Sequence, residues 1–457
     1  MKTDTIYALA SGGGRAGVAV IRISGPGAVA AAGRLAGGDA TKWPARRAVR
    51  TRLADPETGE AIDDGLALRF PAPKSFTGED VVELHLHGGP AVVAGVLAAL
   101  SARPGLRLAE PGEFTRRAFE NGKLDLTAAE GLADLVAAET AAQRRQALRQ
   151  MQGELGMIYE SWRERLLRGL AHREAAIDFS DEDLPSGVDA AARKQVIDIK
   201  EEIDDHLNDA RRGERLRDGL VIAILGPPNA GKSPLLNRLA RRDAAIVSAI
   251  AGTTRDVIEV HLDLGGCPVV VADTAGLRDG RDEIEMEGIR RARRAAEDAD
   301  LRIAVFDGEA WPDIDAHTAK LVNETTIAVV NKADIKTPAP PVAVNGRPAV
   351  AISALTGAGL DGLLKAIGER AAAMIGDAAS PALAPALTRA RHREALEECR
   401  DALARFVAAD AADADGGRPE LAAEDLRLAA RALGRITGRV DVEDLLDVIF
   451  RDFCIGK

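Results

Sequence analysis

Between residues 221 and 237 the chain reads VIAILGPPNAGKSPLLN. The five apolar residues 221–225 predict a buried parallel strand, and Gly226 through Ser233 then fit G-x-x-x-x-G-K-[ST]. Such a turn wraps main-chain N–H groups around a phosphate at the positive end of a helix, and a Cβ at Gly226 or Gly231 would obstruct it. Lys232 is spaced to reach β and γ phosphates, and the Ser233 hydroxyl to bind Mg²⁺. Asn331-Lys332-Ala333-Asp334 follows the apolar run 327–330, where the Asp334 carboxylate suits the N1–H and 2-amino group of guanine. Asp273-Thr274-Ala275-Gly276 closes the run 269–272, with a carboxylate for the Mg²⁺ shell and a glycine N–H for a γ-phosphate. Gly252-Thr253-Thr254-Arg255-Asp256 supplies a switch-loop threonine, and Ser353-Ala354-Leu355 caps the guanine pocket. The five motifs in this order imply a GTP-hydrolysing segment.

At 457 residues the chain is long enough for two to four domains. Aromatics make up only 3%, which suits helices packed on small side chains rather than base-stacking platforms. Cys267, Cys399 and Cys454 show no C-x-x-C spacing, so neither a disulfide framework nor a zinc site is expected, and a reducing, cytoplasmic setting fits. A net charge of −11 argues against a surface that attracts nucleic acid everywhere and leaves room for a local basic patch. The longest apolar stretches, such as 91–100, are too short to cross a bilayer, so no membrane association is expected.

These motifs need elements to hold them. Residues 5–108 mix strand-like runs (18–23, 66–70, 81–86) with one helix-like run at 90–101, an α+β pattern. His85 and His87 fall on one strand face, where packing or hydrogen bonding is expected rather than metal binding. From Thr115 the period becomes helical: Leu148, Met151, Leu155, Ile158, Trp162 and Leu166 recur every three or four residues, as do Val196, Ile199, Ile203 and Leu207. The acidic break at 178–185 reads as a solvated loop with capping carboxylates. Helical sequence resumes beyond the nucleotide segment. The expected architecture is multidomain: an α+β domain at 1–114, a helical domain in two parts (115–215 and 379–457), and an inserted α/β P-loop, Ras-like domain at 216–378.

At this point the chain resembles the MnmE (TrmE) family of tRNA modification GTPases over residues 4–457. The resemblance rests on DTI at Asp4, RISGP at Arg22, FTGEDVVELHLHGG from Phe76, PGEFTRRAFENGKLDLTAAE from Pro111, AGTTRD from Ala251, and CIGK at 454–457. It implies a homodimer joined through a folate-binding N-terminal domain, and a heterotetramer with the flavoprotein MnmG. The pair would add an aminomethyl or carboxymethylaminomethyl group at C5 of the wobble uridine of certain tRNAs. The carbon would come from methylene-tetrahydrofolate, and 5-formyl-tetrahydrofolate would occupy the same site. Arg22, Glu83, Lys123 and Lys457 would contact the folate, whose carboxylates call for cations and whose pterin amide edge calls for a carboxylate.

For the nucleotide site the resemblance adds K⁺, held by the Asn229 side chain and by carbonyls around Ser248, Ile250 and Thr253. It would stand where other GTPases place an arginine finger. GTP contacts would run through Asn229, Ala230, Gly231, Lys232, Ser233 and Pro234, the loop Ser248, Ala249, Ile250, Ala251, Gly252, Thr253 and Thr254, and the three motifs beyond it. Mg²⁺ falls to Ser233 and Thr254. Leu277 follows DTAG where many GTPases have glutamine, and it cannot orient water; the resemblance implies that Glu285 takes that role, with Lys232 and Asn229 completing the catalytic set. This chain departs from the family in its SGGGRAG loop and at Pro234, where the family has a residue with an N–H. Cys454, which the resemblance places near the folate pocket, reads as a small buried residue, with a catalytic thiolate as the alternative. An alternative of another class, a GTP-gated factor for ribosome or RNA assembly, has no use for a folate domain or a terminal CIGK.

Overall fold

The computed structural model describes residues 4–178, 188–242, 244–246, 259–273, 299–336, 342–376, 385–412, 419–440, 443–451, 453 and 455–456. The chain divides into two compact units, one of Met1–Ala133, Gln150–Glu164 and Ala430–Lys457, the other of Asp134–Arg149 and Arg165–Ala429.

In the first unit, strands β1 (Thr5–Leu9), β2 (Ala16–Ser24), β3 (Val49–Ala54), β4 (Ala61–Phe70), β5 (Val81–Gly88) and β6 (Leu106–Leu108) form one sheet in the order β3-β4-β5-β2-β1-β6. All neighbours are antiparallel except β1 and β6. Alternation along the strands sends Ile21, Ile23, Leu53, Ala67, Val82 and Leu84 into a core shared with the helices Ala28–Leu35 and Pro90–Ser101. A smaller cluster joins Leu126 and Ala129 to Leu446, Phe450 and Phe453. Gly112 makes that approach possible: its φ is 67°, and a Cβ there would lie 2.6 Å from the Phe450 carbonyl oxygen.

His87 donates its backbone N–H to Asp63 and sets Nδ1 2.8 Å from Asp63 Oδ1, while His85 Nε2 lies 3.5 Å from Glu83. Each histidine of the pair therefore has a carboxylate neighbour. The periodic run from Leu148 to Leu166 is not one helix. It divides into Ala141–Met151 and Glu154–Asp178, because Gly153 between them takes a left-handed φ of 87° that ends the first ladder.

In the second unit, β7 (Leu220–Leu225), β8 (Glu259–Leu264), β9 (Cys267–Asp273), β10 (Leu301–Asp307), β11 (Thr326–Asn331), β12 (Ala343–Val344) and β13 (Arg347–Ala351) run in the order β12-β13-β11-β10-β7-β9-β8. The strands β13, β11, β10, β7 and β9 are parallel, and β8 and β12 pair antiparallel at the edges. Central β7, with β10 on one side and β9 on the other, is where the strand order reverses, and open parallel sheets bind ligands at the carboxyl ends there. The helices Lys232–Leu239 and Leu360–Ile375 bury Leu235, Leu236, Leu239, Leu363 and Ile367 against Ile222, Ile224 and Val271 of the sheet. The helices Val188–Leu207 and Ala390–Ala412 pack on each other and bury Val196, Ile199 and Ile203 with Leu396, Cys399 and Leu403.

Candidate nucleotide site

The turn after β7 is shaped by what surrounds it. Gly226 has φ 151°, and a Cβ would stand 2.4 Å from the Val305 carbonyl oxygen on β10. Gly231, at φ 93°, precedes the helix Lys232–Leu239, and a Cβ there would stand 2.1 Å from Asn331 Nδ2. No other residue type fits either place without moving its neighbours. Lys232 Nζ donates to the carbonyls of Gly226 (2.8 Å) and Pro227 (2.9 Å), spanning its own loop. Asn229 is exposed with a left-handed φ of 64°, and Ala230 is buried beneath it.

Pro234 is the third residue of the helix, where the N–H has no partner within the helix. Its usual pressure on the preceding residue does not displace Ser233, which stays helical and exposed. Asp273 closes β9 level with Ile224 of β7, at the carboxyl edge of the sheet.

Asn331 ends β11 and joins two loops from a buried position. Its Nδ2 donates to the Ala230 carbonyl and its Oδ1 accepts the Ala354 N–H, both at 2.9 Å. The turn after β13 is held by the Ser353 hydroxyl, which accepts the Thr356 N–H at 3.0 Å. Lys332 donates to Asp307 (2.7 Å) and Glu309 (3.0 Å), bonds that raise its pKa above the ordinary lysine value. Between these loops opens a cavity of about 470 Å³, lined by Gly231, Asn331, Lys332, Asp334, Ala354 and Leu355. The phosphate turn, the Asn-Lys-x-Asp loop and the Ser-Ala-Leu turn, far apart in sequence, thus meet around one space.

Arg238 and Arg241 also line this cavity and escaped the motif reading. Arg238 Nη2 donates to the Thr356 carbonyl at 2.6 Å and lies 2.9 Å from where a Cβ on Gly357 would be. Arg238 in the last turn of the helix and Arg241 just beyond its C-cap were the available signal. Ser248, Ala249, Ile250, Ala251, Gly252, Thr253, Thr254, Thr274, Ala275, Gly276, Leu277 and Glu285 lie outside the described residues, as do Cys454, Lys457 and the acidic stretch 179–185.

In the first unit, Arg22 and Glu83 come together across β2 and β5, with Nε donating to Oε1 at 3.0 Å. The Arg22 guanidinium lies 5.6 Å from the ring centroids of both Phe76 and Phe114, and Nη1 reaches the Gly456 carbonyl at 3.4 Å. Lys123 donates to the Pro73 carbonyl at 2.9 Å. Arg117, unremarked in the sequence, ties three of the motif segments together. Nine-tenths or more buried, it donates to Asp4, Glu79 and Glu113, one carboxylate from each of the DTI, FTGED and PGEF segments.

A parallel sheet with a phosphate turn at its reversal point and an Asn-Lys-x-Asp loop beside it defines a P-loop nucleotide-binding domain of the guanine type. A family model described as the MnmE helical domain matches residues 126–454, and one described as the GTP-binding protein TrmE N-terminus matches 5–123. The chain belongs to the MnmE family of tRNA modification GTPases. The tRNA modification GTPase MnmE of Paramagnetospirillum magneticum is 58% identical over 455 residues, covering 100% of both chains. The MnmE of Parvibaculum lavamentivorans is 58% identical over 99% of this chain and 100% of its own. The human mitochondrial 5-taurinomethyluridine-[tRNA] synthase subunit GTPB3 is 49% identical over 99% of this chain and 93% of its own. Among solved structures, the G domain of the T. maritima FeoB iron transporter aligns at 25% identity over 34% of this chain and 98% of that one, with a TM-score of 0.25.

Proposed function

We propose that this protein hydrolyses GTP to drive the modification of wobble uridines in tRNA, working as a homodimer with the flavoprotein MnmG. The observation that carries the nucleotide half is Asn331, whose one side chain ties the phosphate turn to the Ser-Ala-Leu turn around the cavity. Asp334 offers guanine its carboxylate and the Ala354 region its backbone. Lys332, its ammonium held by Asp307 and Glu309, presents its stem to the base.

Ser233, exposed at the helix start, fits a Mg²⁺ ligand, with Thr254 as the second. The exposed Asn229 side chain fits a K⁺ ligand, with carbonyls at Ser248, Ile250 and Thr253. Bound there, the two cations would supply charge stabilisation for phosphoryl transfer. Glu285 is proposed to orient the attacking water in place of Leu277. In the N-terminal domain, a guanidinium, a carboxylate and two aromatic rings meet at Arg22, Glu83, Phe76 and Phe114, a set that suits the carboxylates and pterin of a folate.

The test is GTP turnover in K⁺ and in Na⁺ at matched ionic strength, with and without MnmG, alongside an assay of bulk tRNA for the wobble modification. K⁺ should accelerate turnover and Na⁺ should not. Glu285→Ala should lower hydrolysis by orders of magnitude while nucleotide affinity stays near wild type, as when only a transition-state interaction is lost. Equal rates in the two salts would remove the K⁺ site, and near-normal turnover in the variant would remove Glu285.

A further inference from the structure

Opposed residues in neighbouring strands point to the same face. Cross-strand register therefore puts Arg50, Leu66, His85 and Val20 in one row and Leu68, Glu83 and Arg22 in the next, all on one face of the six-stranded sheet. The opposite face is buried, with Leu53, Ala67 and Leu84, whereas the Arg22 face is covered towards β1, where Ile6, Ala8 and Phe114 are buried, and opens towards β3. Arg50 and Arg52 of the edge strand β3 are exposed, and so is Leu66 beside Arg50. The face holding the Arg22–Glu83 pair thus runs out to a cationic edge.

The chain leading into β3 enlarges that edge. Between Lys42 and Arg52 there are five cations and no carboxylate, in a chain whose net charge is −11. Lys42, Arg46 and Arg47 are exposed. Their loop is fastened along β4, with the Arg46 N–H donating to the Arg69 carbonyl (2.8 Å) and Arg69 Nη1 to the Thr41 carbonyl (2.7 Å). The carboxylates nearest in the pattern are Asp39, which bonds Thr41, and Asp64, opposite Arg52. Among the described residues, Arg47, Arg50 and Arg52 take part in no ion pair. Apart from Asp64 opposite Arg52, the strand register sets no carboxylate beside them.

We infer that this edge is a docking surface for the sugar-phosphate backbone of the tRNA substrate. Phosphates would sit at Arg47, Arg50 and Arg52 while a nucleobase extends over the sheet towards Arg22 and Glu83. The inference rests on the tRNA reading above and adds the surface. From β3 to β2 is three strand spacings, about 14 Å, a span that a few nucleotides of an RNA loop cover. Phosphate contacts position a nucleic acid without reading its sequence, which suits an enzyme acting on more than one tRNA. A second copy of this chain is the weaker occupant, because a symmetric contact centred on five cations sets like charges against each other.

The test uses full-length protein and bulk tRNA, with affinity followed by fluorescence anisotropy from about 50 to 200 mM salt. Arg47→Gln/Arg50→Gln/Arg52→Gln should weaken binding at least tenfold at the low end and flatten the slope of log K against log salt by about 2 to 3. GTP turnover, thermal midpoint and molecular mass should not change, and the triple Arg→Lys variant should keep the wild-type slope. An unchanged slope in the glutamine variant overturns the inference and leaves the tRNA reading intact. A variant that falls to half the wild-type mass also overturns it, assigning the edge to self-association. Wild-type protein that binds no tRNA at low salt brings down the tRNA reading and this surface together.

Discussion

Pro234 sits where a P-loop helix normally offers an N–H to the α-phosphate, and a proline has none. A hydrogen bond to a charged acceptor contributes about 1.5 to 3 kcal/mol, so Pro234→Ser should tighten GDP and GTP binding by about ten- to a hundredfold. Because Ser233 stays helical, the Mg²⁺ dependence should be the same in both proteins. Identical dissociation constants by titration would mean that another donor already serves the phosphate. Arg238 acts on the same site from the base side, by holding the Thr356 carbonyl. Arg238→Ala should raise the Kd for GDP about three- to tenfold, the equivalent of one net hydrogen bond. Pyrophosphate binding should not move, and an equal loss for both ligands would place the effect in the phosphate turn instead. The motif residues were legible because each motif is contiguous and its chemistry sits in a few residue types. Arg238 and Arg117 were not, since the partners that give them meaning lie 118 and up to 113 residues away.

Among the elements, several apolar runs were readable, although the central, buried strand β10 (Leu301–Asp307) went unread. The helix Pro90–Ser101 falls at its expected bounds, and β7, β9 and β11 each extend the expected run by one to three residues. Strands β3 (VRTRLA) and β8 (EVHLDL) went unread because edge strands carry charge on their open side, so only half of their residues signal burial. The helix Glu113–Glu120 buries Phe114 and Ala118 and also carries a buried charge network, and that network makes it acid-sensitive. Burial pushes the Glu113 carboxyl up, but hydrogen bonds from Arg107, the Glu110 N–H and Arg117 outweigh it and hold it below the ordinary glutamate value. A depressed carboxyl contributes stability above its unfolded pKa of about 4.3, and this stability is lost as pH falls through the folded value. The first unit should therefore loosen below about pH 4, and Glu113→Gln should be less stable at neutral pH with a flatter acid limb. A wild-type acid limb in the variant, measured by denaturant midpoints against pH, would exclude this network as its source.

At the scale of the molecule, the first unit draws on three separated stretches of chain. Residues 430–456 bring Leu446, Phe450 and Phe453 against Leu126 and Ala129, Asp447 to Arg116, and the Gly456 carbonyl to Arg22. Three large apolar side chains at about 1.5 to 3 kcal/mol each rival the entire stability of an ordinary domain. Deleting 430–457 should therefore abolish slow amide exchange in β1, β2 and β5, and full protection in the truncated protein would show that the sheet is self-sufficient. This arrangement also fixes an order of events during synthesis. Residues 1–133 leave the ribosome roughly 300 residues before 430–457 arrive, an interval of about 15 to 60 s at 5 to 20 residues per second. For that time Leu126 and Phe119 lack their final cover, and a trigger-type chaperone or a slow codon late in the message would act on this first-made segment rather than on the nucleotide domain made after it.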